Sequence, residues 1–308
     1  MPFASSNKIE NGFTLIEISI VLVIIGLIVG GILTGEDLIK VARVNTIISE
    51  RTQYLTAAYA FRGKYGAMPG DFSNAVGMIA PAAGGNTSDN YTLTCYGNKV
   101  YTGTCNGNGD GTIGYPASQQ GGQGWASING GNQSSGEAPE TEGLLFWNQM
   151  AFAGMIAGKY MPAFRPTGTP VDDGYGNGPE EYPGFNIPGS RAYSNAAWSL
   201  WNIYVQPVDT TLGLSNNNTS GHMLFYGAAT TSTNANYDDT PLYPILTPLQ
   251  AQSIDRKIDD GKAMTGKVQA ALKGSDFTPS CTTTNDPTTS QYDLSNTGIL
   301  CSLYFMVF

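Results

Sequence analysis

The stretch from Phe13 to Leu33, FTLIEISIVLVIIGLIVGGIL, constrains this chain more than any other feature. It runs 21 residues with a single charge, Glu17. As a helix it covers about 32 Å, enough to cross a hydrocarbon layer of about 30 Å. A cleavable secretory signal has a shorter apolar core and then a small-residue cleavage site. Here the run is too long, and a helical pattern follows it. The stretch therefore reads as a membrane anchor with one costly defect. A carboxylate in a membrane helix costs roughly 2.5 kcal/mol or more and marks a functional position by default. No lysine or arginine lies in the run to pair with Glu17. Its partner must be a snorkelling contact or a cation from another chain.

The string Gly12-Phe13-Thr14-Leu15-Ile16-Glu17 sits behind a short polar leader and ahead of the apolar run. In this it resembles the class III signal of type IV prepilins and type II secretion pseudopilins, over the N-terminal part of the chain only. The resemblance implies cleavage by a prepilin peptidase between Gly12 and Phe13, and N-methylation of Phe13. It also implies that Glu17 meets the N-terminal amine of a neighbouring subunit during assembly. That would supply the missing cation in trans, and such a pair is far stronger in low dielectric than in water. The implied partners are the peptidase, other pilin or pseudopilin subunits and an inner-membrane assembly platform. The implied location is a single inner-membrane pass with a cytoplasmic N-terminus, then a periplasmic or extracellular filament. Two features depart from the pattern. The leader has only Lys8 as a basic side chain, offset by Glu10, which weakens the positive-inside signal. Thr34 stands where many pilins have proline. Gly26/Gly30 and Gly31/Gly35 are spaced for close helix approach in lipid, though glycine is also simply common in membrane helices.

The helical pattern continues past Leu33. No proline intervenes between Phe13 and Pro69, and positions 38, 41, 45, 48, 52, 55 and 59 form a 3-4 spaced stripe. A helix from Phe13 to near Arg62 would be roughly 75 Å long, its second half laying one face on a globular head. Glu36, Asp37, Lys40, Arg43, Glu50 and Arg51 read as a solvated or inter-subunit face. Pro69-Gly70 reads as a type II turn beyond the helix. The expected organisation is a leader at 1–12, a membrane and filament-core helix at 13–35, its amphipathic continuation at 36–66 and a head at 67–308. The fold class expected is α+β. The resemblance implies a pilin-like lollipop, with a small antiparallel sheet and additional helices in a loop-rich head.

Within the head, residues 74–140 are rich in Gly, Asn, Ser and Thr and read as long loops. Thr141 is placed to cap a buried helix over 142–157, closed near Gly158. Residues 197–208 and 222–228 read as strands. TPLQAQSIDRKIDDG is a helix, with Thr247 as N-cap, Pro248 at N1, Gln250 at N3 and Gly261 as the stop. The stretch 298–308 reads as a final strand. Only 13% of residues are charged, against about 25% in typical soluble domains, while Gly 39 and Pro 17 make turns frequent. The net charge of −9 argues against a nucleic-acid-binding body.

Four cysteines, Cys95, Cys105, Cys281 and Cys301, allow three connectivities. Local pairing, 95–105 and 281–301, is the expected one, each bridge worth about 2–4 kcal/mol. The second would match the C-terminal disulfide loop that the resemblance implies. Zinc is poorly served, since there is no CxxC and the lone His222 is distant. Asn106, Asn108 and Asp110 set oxygens at alternate positions ahead of Gly111 and Ile113, like the first half of a calcium loop. The closing glutamate expected at the twelfth position is Ala117, and Glu137, Glu140 and Glu142 are candidates to complete a shell. The same string also reads as a turn stapled by Cys105. Calcium is thus the one cofactor candidate. Asp172, Asp173, Asp238 and Asp239 are weaker loop carboxylates. No G-x-S-x-G, H-E-x-x-H or P-loop occurs, so no catalytic set is read. The functional expectation is a structural subunit, minor or specialised, of a type IV pilus or type II secretion pseudopilus. A pilin-anchored adhesin, calcium-dependent or using Trp125, Trp147, Trp198 and Trp201 as a sugar groove, is the alternative. So is a membrane-tethered hydrolase whose anchor mimics the motif.

Overall fold

In the computed structural model, residues 14–81, 103–113, 142–161, 181–204, 220–229, 243–271, 281–284, 286 and 288–307 are described, apart from the side chains of 201–204, 220 and 271. The chain divides into two units, Met1–Arg43 and Val44–Phe308. Helix α1 runs Leu15–Tyr65. It ends at Gly66, whose φ of 77° lets its N–H reach back to Arg62 O at 2.8 Å.

In the first unit, every described residue of α1 except the half-exposed Gly35 is exposed. Leu15 is 89% exposed and Leu27 73%. Length and composition suit a membrane crossing.

The second unit is α+β: it holds the rest of α1, three further helices and a four-stranded antiparallel sheet. The helices are α2 (Ala75–Met78), α3 (Glu142–Phe152) and α4 (Pro248–Ile258). The strands are β1 (Ala196–Tyr204), β2 (Ser220–Ala228), β3 (Val268–Ala271) and β4 (Ser302–Met306), in the order β1-β2-β4-β3. The C-terminal strand is thus interior to the sheet, which accounts for its apolar sequence. Alternation sends Trp198, Leu224, Tyr226 and Phe305 to one face. There Trp198 packs on Tyr226 and Phe305 with ring centroids 4.7 and 5.6 Å away. Tyr54 of α1 meets Trp198 and, from α3, Trp147 edge-on at 5.9 and 5.0 Å. On the other face Ser199 donates to buried Glu181 at 2.5 Å, and Tyr304 to Gln269.

The stripe that α1 buries is not the one expected from 38, 41, 45, 48, 52, 55 and 59. It is Val44, Ile47, Glu50, Tyr54, Ala57, Ala58 and Phe61. A one-residue offset turns the face by about 100°. The larger aliphatics of the expected stripe stay exposed or half-buried. The buried face instead uses two alanines that let neighbours approach, and one carboxylate. Glu50 is 2% exposed and so is not solvated. It accepts from Ser190 Oγ at 2.8 Å, Arg191 N at 2.7 Å, Arg191 Nε at 3.2 Å and Trp198 Nε1 at 2.9 Å. Buried charge is tolerable where it is bonded this fully.

Other boundaries follow caps. Helix α3 stops at Phe152, short of 157. Gly154, at φ 72°, donates to Ala151 O while Met155 donates to Met150 O, a Schellman closure four residues before the expected stop at Gly158. Helix α4 has the expected capping box, Gln250 N to Thr247 Oγ1 at 3.3 Å and Thr247 N to Gln250 Oε1 at 3.0 Å. Strand β3 was not foreseen, since four residues carry little periodicity. Residues 205–208 of the first expected strand, Thr141 and most of 74–140 lie outside the described residues. Cys281 and Cys301 are bonded, pinning the segment that enters β4. Cys105 is disulfide-bonded as well, and Cys95 lies outside the described residues.

Candidate functional site

Gly12 and Phe13 lie outside the described residues. Just beyond them, α1 begins with a capping box. Glu17 Oε2 accepts from Thr14 N at 2.8 Å and from Thr14 Oγ1 at 2.7 Å. The carboxylate is thus bonded back onto Thr14, on an exposed first turn. Around Gly26, Gly30, Gly31 and Gly35 an added Cβ would meet nothing within 4 Å. Their smallness serves no packing among the described residues. Thr34 bonds back to Gly30 O at 2.7 Å, as a helical threonine does, and α1 continues through it.

A second site is in the head, where three segments distant in sequence touch. Gln149 of α3 accepts from Gly70 N at 2.7 Å and donates to Cys105 O at 3.0 Å. Asn148 donates to Gly103 O at 3.2 Å and Tyr160 O at 2.6 Å. These bonds set the 106–113 loop against the turn at Gly70, where φ is 93°. A Cβ on Gly107 would lie 2.1 Å from Gly70 O, and one on Gly70 would lie 2.4 Å from Glu142 O. Only glycine permits either approach.

Within this contact Asn106 Oδ1 accepts from Val76 N at 2.8 Å, so it holds the turn after Asp71. Asn108 Oδ1 accepts from Asp110 N at 2.8 Å, and Asn108 N donates to Glu142 Oε1 at 2.8 Å. Asp110 Oδ1 accepts from Thr112 N at 2.8 Å. Asp71 Oδ2 accepts from Gly111 N at 3.2 Å. Burial pushes the Asp71 carboxyl up, the Asp110 charge pushes it further, and the 109–111 amides oppose both. Asp71 and Glu142 are 3% and 2% exposed. Asp71 escaped the sequence reading because it lies 35 residues before Asn106, in what read only as a helix exit. Glu142 was one of three candidates, and Glu137 and Glu140 lie outside the described residues, as do Asp172, Asp173, Asp238 and Asp239.

His222 accepts from Ile113 N at 2.8 Å, which needs an unprotonated Nε2. Burial pushes its pKa down to about 4. Asp255, in the last turn of α4, and Asp259 and Asp260, just beyond it, have ligand-type oxygens within 4.8 Å of one another. Trp147 and Trp198 are fully buried, so neither lines a sugar groove. Trp125 and the Trp201 side chain lie outside the described residues.

No curated protein and no solved structure matches the chain. Residues 7–33 match the family model described as "Prokaryotic N-terminal methylation motif". The segment that begins α1 is therefore a type IV prepilin-like signal, and it supports a type IV pilin-like or pseudopilin subunit, a kind of protein handled by prepilin peptidase and assembled with other pilin subunits.

Proposed function

We propose that this chain is a minor or specialised structural subunit of a type IV pilus or type II secretion pseudopilus. The methylation motif at residues 7–33 is the observation that carries this reading. The leader 1–12 is removed between Gly12 and Phe13, and Phe13 becomes N-methylated. Residues 13–35 anchor the precursor in the inner membrane and then enter the filament core, 36–66 continue the helix, and 67–308 form a periplasmic or extracellular head. Glu17 neutralises the new amine of a neighbour. Exposure of the whole apolar half of α1 supports this, because such a surface needs lipid or sister helices to cover it. The role is structural, with no catalytic step.

Mass spectrometry of the N-terminus of the native protein tests the processing. A mature chain beginning at N-methylated Phe13 is expected, and an intact leader on working protein would refute the reading. Glu17→Ala should be cleaved normally but excluded from filaments, read by shear fractionation and immunoblot. Normal incorporation would remove the pairing role.

A further inference from the structure

Backbone N–H groups of the 106–113 loop donate to other segments of the head. Gly107 N donates to Phe72 O at 2.9 Å, Asn108 N to Glu142 Oε1 at 2.8 Å, Gly111 N to Asp71 Oδ2 at 3.2 Å and Ile113 N to His222 Nε2 at 2.8 Å. Glu142, Asp71 and His222 are thus titratable acceptors on separate segments, and they do not answer acid alike. A carboxylate that takes up a proton keeps a carbonyl oxygen and still accepts, at about half its former strength. An imidazole that takes up a proton at Nε2 has no lone pair left there and becomes a donor. At His222 that would set one N–H against another, beside Ile113, which is 2% exposed. The Ile113 bond is therefore the one that acid removes outright.

We propose that His222 is an acid-released latch: unprotonated, it holds the Ile113 end of the loop on β2, and protonation at Nε2 frees that end while Asp71 and Glu142 keep hold of the middle. The surroundings decide how readily the proton enters. Asp110, three residues before Ile113, is the charge that faces the ring from the loop, and it favours protonation. Strand β4 meets His222 with backbone, Val307 N donating to His222 O at 3.0 Å, and β1 sets neutral Asn202 opposite it. Neither strand brings a charge. Burial opposes protonation and outweighs Asp110, which leaves the pKa at about 4 against an ordinary 6.5. Once the loop end lifts, the ring meets water and regains its ordinary affinity for a proton, so latching and protonation compete. The sign follows from the lowered value. The latch is at full strength above pH 6.5, loses about tenfold per pH unit below it, and levels off near pH 4.

His222 is the one histidine in the sequence, so its ring signal is unambiguous. Two measurements on the full chain in detergent test the latch. By NMR, the imidazole C–H should titrate well below 6.5. Hydrogen exchange at the Ile113 amide, corrected for its intrinsic pH dependence, should lose protection roughly a hundredfold between pH 7 and pH 4, while the amides of β4 stay protected. His222→Gln offers a side-chain oxygen that takes up no proton in this range. Whatever the level of Ile113 protection in that variant, it should not change with pH. An imidazole titrating near 6.5 would overturn the proposal, as would Ile113 protection that is constant with pH in the native chain. So would loss at Ile113 that only accompanies loss in β4, or the same loss in His222→Gln.

Discussion

Helix α1 has one backbone and two kinds of surface. From Leu15 to Leu33 it is apolar and exposed, from Thr34 to Arg43 it is exposed and carries charges, and from Val44 to Tyr65 it is mixed in character and buries a stripe. The second half is the less apolar of the two, yet it is the half that is packed. The difference teaches that hydrophobicity records whether a surface will be covered, not whether this chain covers it. Where the cover is the chain's own sheet, the helix uses Ala57 and Ala58 for close fit and Glu50 to bind the 190–198 segment. Where no described part of the chain covers it, the run Leu15–Leu33 is almost wholly aliphatic, as a lipid or homologous-helix environment requires.

The sharpest way to break the comparison is Glu50→Ala. It strips four donors of their acceptor, two of them on Arg191 and one on buried Trp198. The head should lose about 3–5 kcal/mol, read by denaturant melts. If it loses nothing, the packed half is not held by that carboxylate. A pH series gives a second, smaller effect. Burial raises the Asp255 pKa to about 7, above its ordinary 3.8. The folded head then holds a proton that the unfolded chain releases, so this contribution to stability is complete below pH 4 and fades as pH climbs to 7. Asp255→Asn should flatten that slope. Ala58→Leu comes next. Ala58 is fully buried, and overpacking should cost about 1–3 kcal/mol. The smallest effect is expected from Leu22→Ala in the exposed half. The head's melting should stay within about 0.5 kcal/mol, while membrane retention or filament entry weakens. A head destabilised as much by Leu22→Ala as by Ala58→Leu would erase the distinction between the two halves.

Some of this molecule is written in short strings. The apolar run Phe13–Leu33, the Gly12-to-Glu17 motif and the Thr247/Gln250 capping box each act within a few residues, so periodicity and cap chemistry suffice to read them. The strand-forming character of β1, β2 and β4 was equally local. Errors began where a choice depended on something far along the chain. Gly154 and Gly158 are both plausible stops, and only the 150–155 closure decides between them. The buried stripe of α1 turned on Glu50, whose partner Arg191 lies 141 residues away. The head site was half legible: alternate oxygens at 106, 108 and 110 were evident, but the Asp71 and Glu142 carboxylates meet that loop through its backbone N–H groups, from segments far along the chain.

By itself, then, the amino-acid order determined that a long helix begins near residue 14, that its first half is suited to oil, and that its entry is marked for processing. Only the tertiary structure decided which face of that helix is buried, that β4 sits between β2 and β3, and which carboxylates the amides of the 108–111 loop meet. Helix formation and capping are satisfied by neighbours one to four residues apart. Burial and the bonds to Glu50, Asp71 and Glu142 require groups tens of residues apart to meet, and that meeting exists only once the chain has folded.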